Sequence, residues 1–269
     1  MDSLEALWLG ILQGLTEYLP VSSSGHLVVG SHFMDIKDPD DNLTFAIMVH
    51  AATALSSIVV FWKPILSILK DLFAFKWNDG TKYVAMLALS AVPVVIVGLA
   101  FEDQMNALFA GNITLVGVMW LVTGGLLLFT WFVKQHDREL TFANTFVIGL
   151  AQAIAVLPGI SRSGATIATG LLMRVKKEDM ARFSFLMVIA PILGKAALDL
   201  KDLMDAPAAA STDSQSMTPM LVGFLAAFVV GLLACRAMLA IVKRNKLWYF
   251  SIYCFAAGLL AILIGVEVI

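Results

Sequence analysis

The chain has 269 residues, 59% of them hydrophobic and only 14% charged, where an ordinary water-soluble domain carries roughly 25% charge. That composition excludes a water-soluble globular fold, and a net charge of −2 with basic residues confined to a few loops excludes a nucleic-acid-binding surface. The two cysteines, Cys235 and Cys254, lie in apolar runs without metal-ligand spacing, so they read as buried thiols and no disulfide framework is expected. The N-terminal Met-Asp-Ser-Leu-Glu lacks a basic stretch and a small-residue cleavage site, and is read as part of the mature protein.

A hydrocarbon core about 30 Å thick needs about 20 apolar residues per spanning helix. In chain order, the first apolar run, 5–34, is broken at its middle by Leu19-Pro20-Val21-Ser22-Ser23-Ser24-Gly25-His26. Proline removes a helical donor, and serine and glycine favour caps and turns, so this stretch predicts helix, turn, helix. Its halves are too short to cross, which makes it a re-entrant hairpin. Spans follow at about 44–62, 84–101 and 113–133. A second broken run, 143–173, is interrupted by Leu157-Pro158-Gly159-Ile160-Ser161-Arg162-Ser163-Gly164, and three further spans follow at about 181–199, 219–242 and 249–268. The expected fold is an all-α integral membrane protein, with six transmembrane helices plus two re-entrant helical hairpins, in a single membrane domain over 1–269.

The hairpins are similar to each other. At an offset of 139, Gly10, Gln13, Ser22, Ser24 and Gly25 fall on Gly149, Gln152, Ser161, Ser163 and Gly164, and Leu19-Pro20 matches Leu157-Pro158 after a one-residue slip. This predicts two repeats, about 1–134 and about 140–269. Basic residues gather in the loops 63–83 (Lys63, Lys70, Lys76, Lys82), 134–142 (Lys134, Arg138), 174–180 (Arg174, Lys176, Lys177, followed by Arg182) and 243–248 (Lys243, Arg244, Lys246). The alternating stretches, 35–43, Glu102-Asp103 and 202–218, are acidic or neutral. Basic loops mark the cytoplasmic side. All four fall on one side only if six runs cross while each broken run enters and leaves on the same face, which makes the repeat topologically inverted. Sites in such folds lie at the repeat interface near the midplane.

Ionisable groups at membrane depth are costly and functional by default. Glu17, His26 and Arg162 are such groups. Gln13 and Glu17, four apart, share a helix face directed at the first turn, and Ser22, Ser23, Ser24, Gly25 and His26 surround the start of the following half-helix. The second break offers Ser161, Arg162, Ser163, Gly164 and Thr166 at its own helix start. Helix starts present free N–H groups and partial positive charge, and arginine a planar donor fork, both suited to phosphate. A pocket formed by the two tips therefore suits a phosphate ester, although a structural Glu17–Arg162 bridge is an alternative use of the pair. His50 either lines this pocket or is a satisfied buried histidine, and Lys195 with Asp199, four apart, reads as a surface pair.

The stretch Gly10-Ile-Leu-Gln13-Gly14-Leu-Thr-Glu17-Tyr-Leu-Pro20-Val-Ser22-Ser23-Ser24-Gly25-His26, together with Leu157-Pro158-Gly159-Ile-Ser161-Arg162-Ser163-Gly164-Ala-Thr166, resembles the undecaprenyl-diphosphate phosphatase family, also known for bacitracin resistance. The similarity of span order extends over essentially the whole chain. The resemblance implies a multi-pass enzyme of the bacterial inner membrane that converts undecaprenyl diphosphate to the monophosphate and so recycles the carrier lipid of cell-wall synthesis. It places the family's acidic motif on Gln13 and Glu17, its serine and histidine on Ser23 and His26, and its arginine on Arg162. It also implies Mg2+ or Ca2+, bridged between Glu17 and the diphosphate. Many members carry glutamate where this chain has Gln13, so Glu17 must do more here.

The working mechanism has Arg162 and the helix starts clamp the phosphates while Ser23 attacks with His26 as proton acceptor. Attack by His26 or by an activated water, with Glu17 as base or metal ligand, stays open. The competing function is a flippase for polyprenyl phosphate, since an inverted repeat with a midplane anion site also describes a transporter. No sequence feature sets an oligomeric state. Single cysteines placed at Lys76 and Lys246 are expected to stay unlabelled when intact cells are treated with a membrane-impermeant thiol reagent; strong labelling at either overturns the orientation.

Overall fold

A computed structural model describes residues 1–33, 39–101, 112–133, 137–192, 194 and 217–266, with side chains described throughout except at 39–43. Among the described residues the regular structure is helical, apart from one isolated bridge between Arg138 and Val175. In chain order the helices are α1 (Ser3–Thr16), α2 (Ser23–Phe33), α3 (Pro39–Val60), α4 (Trp62–Leu72), α5 (Asp79–Ala100), α6 (Ile113–Phe129, ending in a 3-10 turn Thr130–Phe132), α7 (Phe142–Ile154), α8 (Arg162–Leu172), α9 (Lys177–Met187), α10 (Met217–Lys243) and α11 (Tyr249–Gly265).

Their ends follow local chemistry. The Asp2 carboxylate accepts from the Leu4 and Glu5 amides, each at 2.8 Å, and the Glu5 carboxylate accepts from the Asp2 amide at 2.7 Å, a reciprocal cap that starts α1. Asn78 caps α5 by accepting from the Thr81 amide, and Thr141 caps α7 by accepting from the Asn144 amide. At about 1.5 Å per residue, α1 with 14 residues and α2 with 11 each fall well short of a hydrocarbon core. After the break the chain folds back on itself, so that a Cβ on Gly30 would lie 3.2 Å from Leu9 and 3.3 Å from Leu12. The helices α7 and α8 pack together in the same manner after their own break.

Among the described residues, three helices are long and apolar enough to cross a membrane unaided: Asp79–Ala100, Ile113–Phe132 and Met217–Lys243. A fourth crossing is available if Thr44–Val60 and Trp62–Leu72, bent by 78°, count as one broken span. The expected span 249–268 corresponds to α11, 17 apolar residues, and 181–199 begins on α9 and runs outside the described residues. Outside them too lie Lys134, Lys195, Asp199, Glu102-Asp103 and most of the acidic stretches 35–43 and 202–218. One expectation is corrected. The basic segment 63–83 is not a plain loop but carries α4, with Lys63 and Lys70 on it, and Lys82 lies in the first turn of α5. The cause is apolar spacing: Ile65 and Ile68 pack inward, whereas Trp62, Leu66 and Leu69 are exposed. Similarly, α9 starts inside the expected loop 174–180, at Lys177.

The burial pattern is inverted relative to a soluble protein. On α10 the exposed stripe is Leu221, Leu225, Val229 and Leu233, and the buried side is Gly223, Ala227, Gly231 and Ala234. In lipid, association gains little from hiding leucine, so small residues that let backbones approach carry the packing. A Cβ on Gly14 would sit 2.7 Å from the Ala227 carbonyl oxygen, and one on Gly10 would press into the Gly223 backbone. The same arrangement joins α6 to α11, where a Cβ on Gly117 or on Gly258 would sit 2.7 Å from the other's carbonyl oxygen, and α7 to α5, where one on Gly149 would sit 2.6 Å from the Ser90 carbonyl oxygen. Thus α10 holds α1 and α3, while α5 holds α7 and α9. Gly10→Ala is expected to cost about 1–3 kcal/mol by overpacking, read as a lowered unfolding temperature in one fixed detergent. Gly98→Ala, with nothing within 4 Å of the added methyl, should lose nothing.

Candidate active site

Both helix breaks converge on one place. In the first, residues Glu17–Ser22 form the turn, and Ser22 takes the left-handed conformation with φ 67°. A residue with a side chain pays for that conformation, and here local bonds hold it. The Ser22 hydroxyl accepts from the Gly25 amide at 3.2 Å and its carbonyl accepts from the His26 amide at 3.2 Å, so Ser22 caps α2. In the second, the turn passes through Gly159 at φ 95°, where a Cβ would collide with the Val116 carbonyl, and Ser161 caps α8 by accepting from the Gly164 amide at 3.0 Å.

The two turns are pinned by α6. The Trp120 indole donates to the Val21 carbonyl at 2.7 Å. Nearly one turn further on, the Thr123 hydroxyl donates to the Gly159 carbonyl at 3.2 Å and accepts from the Ser161 amide at 3.1 Å. Loop carbonyls deep in an apolar protein have no water to bond with, so these side chains supply the required partners. The tips touch directly: Ser163 donates to the Leu19 carbonyl at 3.3 Å, a Cβ on Gly25 would lie 3.2 Å from the Gly159 Cα, and one on Gly164 would lie 3.2 Å from the Pro20 Cβ.

At the centre is Glu17, 6% exposed. Its Oε1 accepts from the Arg162 guanidinium, and its Oε2 accepts from Gln13 Nε2 at 2.9 Å and from the Ser23 hydroxyl at 2.7 Å. His50 Nε2 stands 3.7 Å from the same oxygen. The carboxylate therefore gathers α1, α2, α3 and α8 around one charge. It opens onto a small cleft with Arg162, Ser163, Thr53, Ser57 and Ser184 on its polar side and Ala54, Phe185, Val188 and Ile192 on its apolar side. Polar and apolar walls meeting at a paired cation and anion suit an amphipathic anion.

Of the residues singled out from sequence, Gln13, Glu17, Ser23, His50 and Arg162 come together, and Ser163 joins them on the cleft wall. Ser22, Ser24, Gly25, Ser161 and Gly164 build the turns instead, with Ser22 and Ser24 hydroxyls 3.2 Å apart and those of Ser161 and Ser163 3.3 Å apart. Thr166 is fully buried and its hydroxyl pairs with Ser184 at 2.6 Å. The expected Ser23–His26 pairing is not formed. Ser23 donates to Glu17, because the His26 ring turns back so that Nδ1 meets the Ser22 carbonyl at 2.7 Å, and Nε2 meets the Tyr253 hydroxyl at 2.6 Å.

Sequence reasoning missed Trp120, Thr123, Tyr253 and Tyr18, whose hydroxyl bonds to the Thr53 carbonyl and lies 2.5 and 2.8 Å from those of Ser56 and Ser57. Each sits in an apolar run or beside a motif, and only a polar tip in a hydrophobic stretch marked it.

The donor set suits a divalent cation only in part. Among the described residues no group of three His, Cys, Asp or Glu could hold one. However, Gln13 Oε1 is buried without a hydrogen-bond partner while its amide nitrogen is spent on Glu17. A carboxylate and an amide oxygen are ligands that Mg2+ and Ca2+ accept. They fit an ion whose other ligands come from phosphate oxygens and solvent, not an all-protein cage.

The chain is similar over nearly its whole length to known proteins. A family model described as bacitracin resistance protein BacA matches residues 6–260. The chain is 50% identical over 264 residues to the undecaprenyl-diphosphatase of Bacteroides thetaiotaomicron, covering 98% of this chain and 99% of that one. It is 49% identical over 264 residues to the enzyme of the same name from Christiangramia forsetii, 98% of each chain. With that of Carboxydothermus hydrogenoformans it shares 38% over 261 residues, 96% of this chain and 95% of the other. The chain belongs to the bacitracin resistance protein BacA family.

Proposed function

We propose that this chain is an undecaprenyl-diphosphate phosphatase, a multi-pass enzyme of the bacterial inner membrane that releases the terminal phosphate and returns the monophosphate to the carrier-lipid pool of cell-wall synthesis. The relatives that share nearly its whole length carry that name. The single observation that carries the chemistry is the Ser23 hydroxyl donating to Glu17 Oε2 while Arg162 holds Oε1. This is a nucleophile, a proton acceptor and a phosphate-binding cation in one cluster.

In the resting site Arg162 neutralises Glu17. An incoming diphosphate carries more charge and offers paired oxygens to the guanidinium fork, so Arg162 turns to the phosphates. Glu17, relieved of its counter-ion, becomes the stronger base and takes the Ser23 proton. Ser23 Oγ then bonds to the terminal phosphorus as the bond to the bridging oxygen breaks and the lipid monophosphate leaves with that oxygen. Water attacks the phosphoserine in the second step and gives its proton to His26, the bond from phosphorus to Ser23 Oγ breaks, and Oγ recovers its hydrogen from Glu17 as inorganic phosphate departs. Such transfers depend mainly on positioning and charge stabilisation. Glu17 and Gln13 Oε1 would hold Mg2+ or Ca2+ together with the diphosphate, the ion supplying further charge neutralisation when bound.

Exchange of partners between the two halves supports the proposed inverted repeat and its six spans with two re-entrant hairpins. α1 of the first half packs on α10 of the second, and α7 of the second on α5 of the first. A flippase reading needs the anion site but has no use for the Ser23–Glu17 hydrogen bond.

Phosphate release from farnesyl and undecaprenyl diphosphates by the purified protein, with and without chelator, tests the assignment directly. Arg162→Lys keeps charge but loses the fork and Arg162→Ala loses both, so single-turnover rates at saturating lipid should fall in that order. The alanine variant is expected to lose about a hundredfold, or ~3 kcal/mol of transition-state stabilisation. Glu17→Gln and His26→Asn should both fold and be slow. Parental rates in both variants would return the flippase reading.

A further inference from the structure

His26 is buried, and each of its ring nitrogens has one partner. Nδ1 lies 2.7 Å from the Ser22 carbonyl, which can only accept, so Nδ1 carries a hydrogen in every protonation state. The lone pair of the neutral ring is therefore on Nε2, and Nε2 lies 2.6 Å from the Tyr253 hydroxyl. Tyr253 comes from α11, which is 227 residues further along the chain and outside both hairpins. The two rings are near parallel, 11° apart with centroids at 5.7 Å, and Trp120 presses its edge on the imidazole at 4.8 Å from the other side of the cluster.

Two properties of this partner matter. A hydroxyl both donates and accepts, so it can donate to Nε2 of the neutral ring and accept from Nε2–H of the charged one without any backbone movement. A carbonyl or an ammonium in that place would suit only one state. Tyr253 is also 46% exposed whereas His26 is 9% exposed, so the partner of Nε2 belongs to a residue open to its surroundings.

We infer that Tyr253 is a positioning residue for the reaction, holding His26 in the Nδ1–H tautomer with Nε2 as its working nitrogen and serving as hydrogen-bond partner to that nitrogen in both protonation states. The inference rests on the proposed function, in which His26 handles a proton in the second step. It assigns part of the site to the last helix, through a residue in neither motif. The imidazole would keep its Ser22 bond and its Trp120 contact without Tyr253, but its Nε2 would be free to rotate away or to capture a water in an unset direction.

The experiment is a double-mutant cycle on the full-length purified protein, with phosphate release from undecaprenyl diphosphate as the readout. Tyr253→Phe keeps the stacked ring and removes only the hydroxyl. It is expected to lower kcat about tenfold with KM within about twofold of the parent, less than the roughly 10²–10⁴-fold of a direct general acid or base because Tyr253 acts through His26. In a His26→Asn background the same change should have no further effect, because the nitrogen it serves is gone. An undiminished kcat in Tyr253→Phe, or an equal loss with and without His26, overturns the inference. If His26→Asn itself turns over at the parental rate, the role of His26 fails with it. Should Tyr253→Phe not fold, 3,5-difluorotyrosine at position 253 keeps the hydroxyl but makes it more acidic. A pH profile of kcat shifted from the parent then supports the assignment, and an unchanged profile overturns it.

Discussion

A single buried carboxylate organises this molecule. An ionised group away from water is unstable unless it is paired and hydrogen-bonded, and Glu17 meets that demand by drawing on four helices: Gln13 from α1, Ser23 from α2, His50 from α3 and Arg162 from α8. Removing one partner from such a cluster costs more than a surface ion pair is worth, because the remainder stays buried. The same contacts that stabilise the resting charge are those a diphosphate would replace. Stability of the apo site and readiness for an anion are thus one arrangement seen with two different occupants of the Arg162 fork.

Irregular backbone next to that charge creates a second demand. The turns after α1 and α7 expose carbonyls and amides that helices would otherwise satisfy, and in a water-poor interior each needs a partner. Trp120 and Thr123 on α6 answer for both turns from one face, and Gly159 lets the second turn lie against the α6 backbone. α6 is in turn fixed to α11 by facing glycines, Gly117 and Gly258, and α11 brings Tyr253 to His26. The chain of contacts runs from lipid-exposed helix packing to the hydrogen bond on the His26 imidazole. Small residues at the crossings are what allow it, since bulkier ones would separate the helices that carry the site.

Much of this was written in local sequence. Proline, serine and glycine at 19–26 and 157–164 mark the two breaks because they lack donors or favour caps, and an acid, an imidazole and an arginine in apolar surroundings mark the site because burial of such groups needs a reason. The helical, membrane-embedded character follows from composition alone. By contrast, four lysines over 63–83 read as an exposed loop, whereas the apolar spacing of Ile65 and Ile68 folds part of that stretch into α4, a helix lying on the core.

What the sequence by itself determined is the chemistry available: which residues can ionise, where helices must stop, and that polar and basic groups of a kind suited to anions cluster at two helix starts. Only the tertiary structure decided who pairs with whom. Ser23 and His26 are neighbours on one helix turn, yet the first gives its hydrogen to Glu17 and the second faces Tyr253 from the far end of the chain. Pairing of that kind depends on ring and rotamer orientations set by packing between distant segments, through the Trp120 ring against the imidazole and the Ser22 carbonyl bonded to its Nδ1. Helical periodicity and motif spacing constrain positions along the chain, and they carry no information about which of several nearby polar groups a side chain will reach once the helices have closed around it.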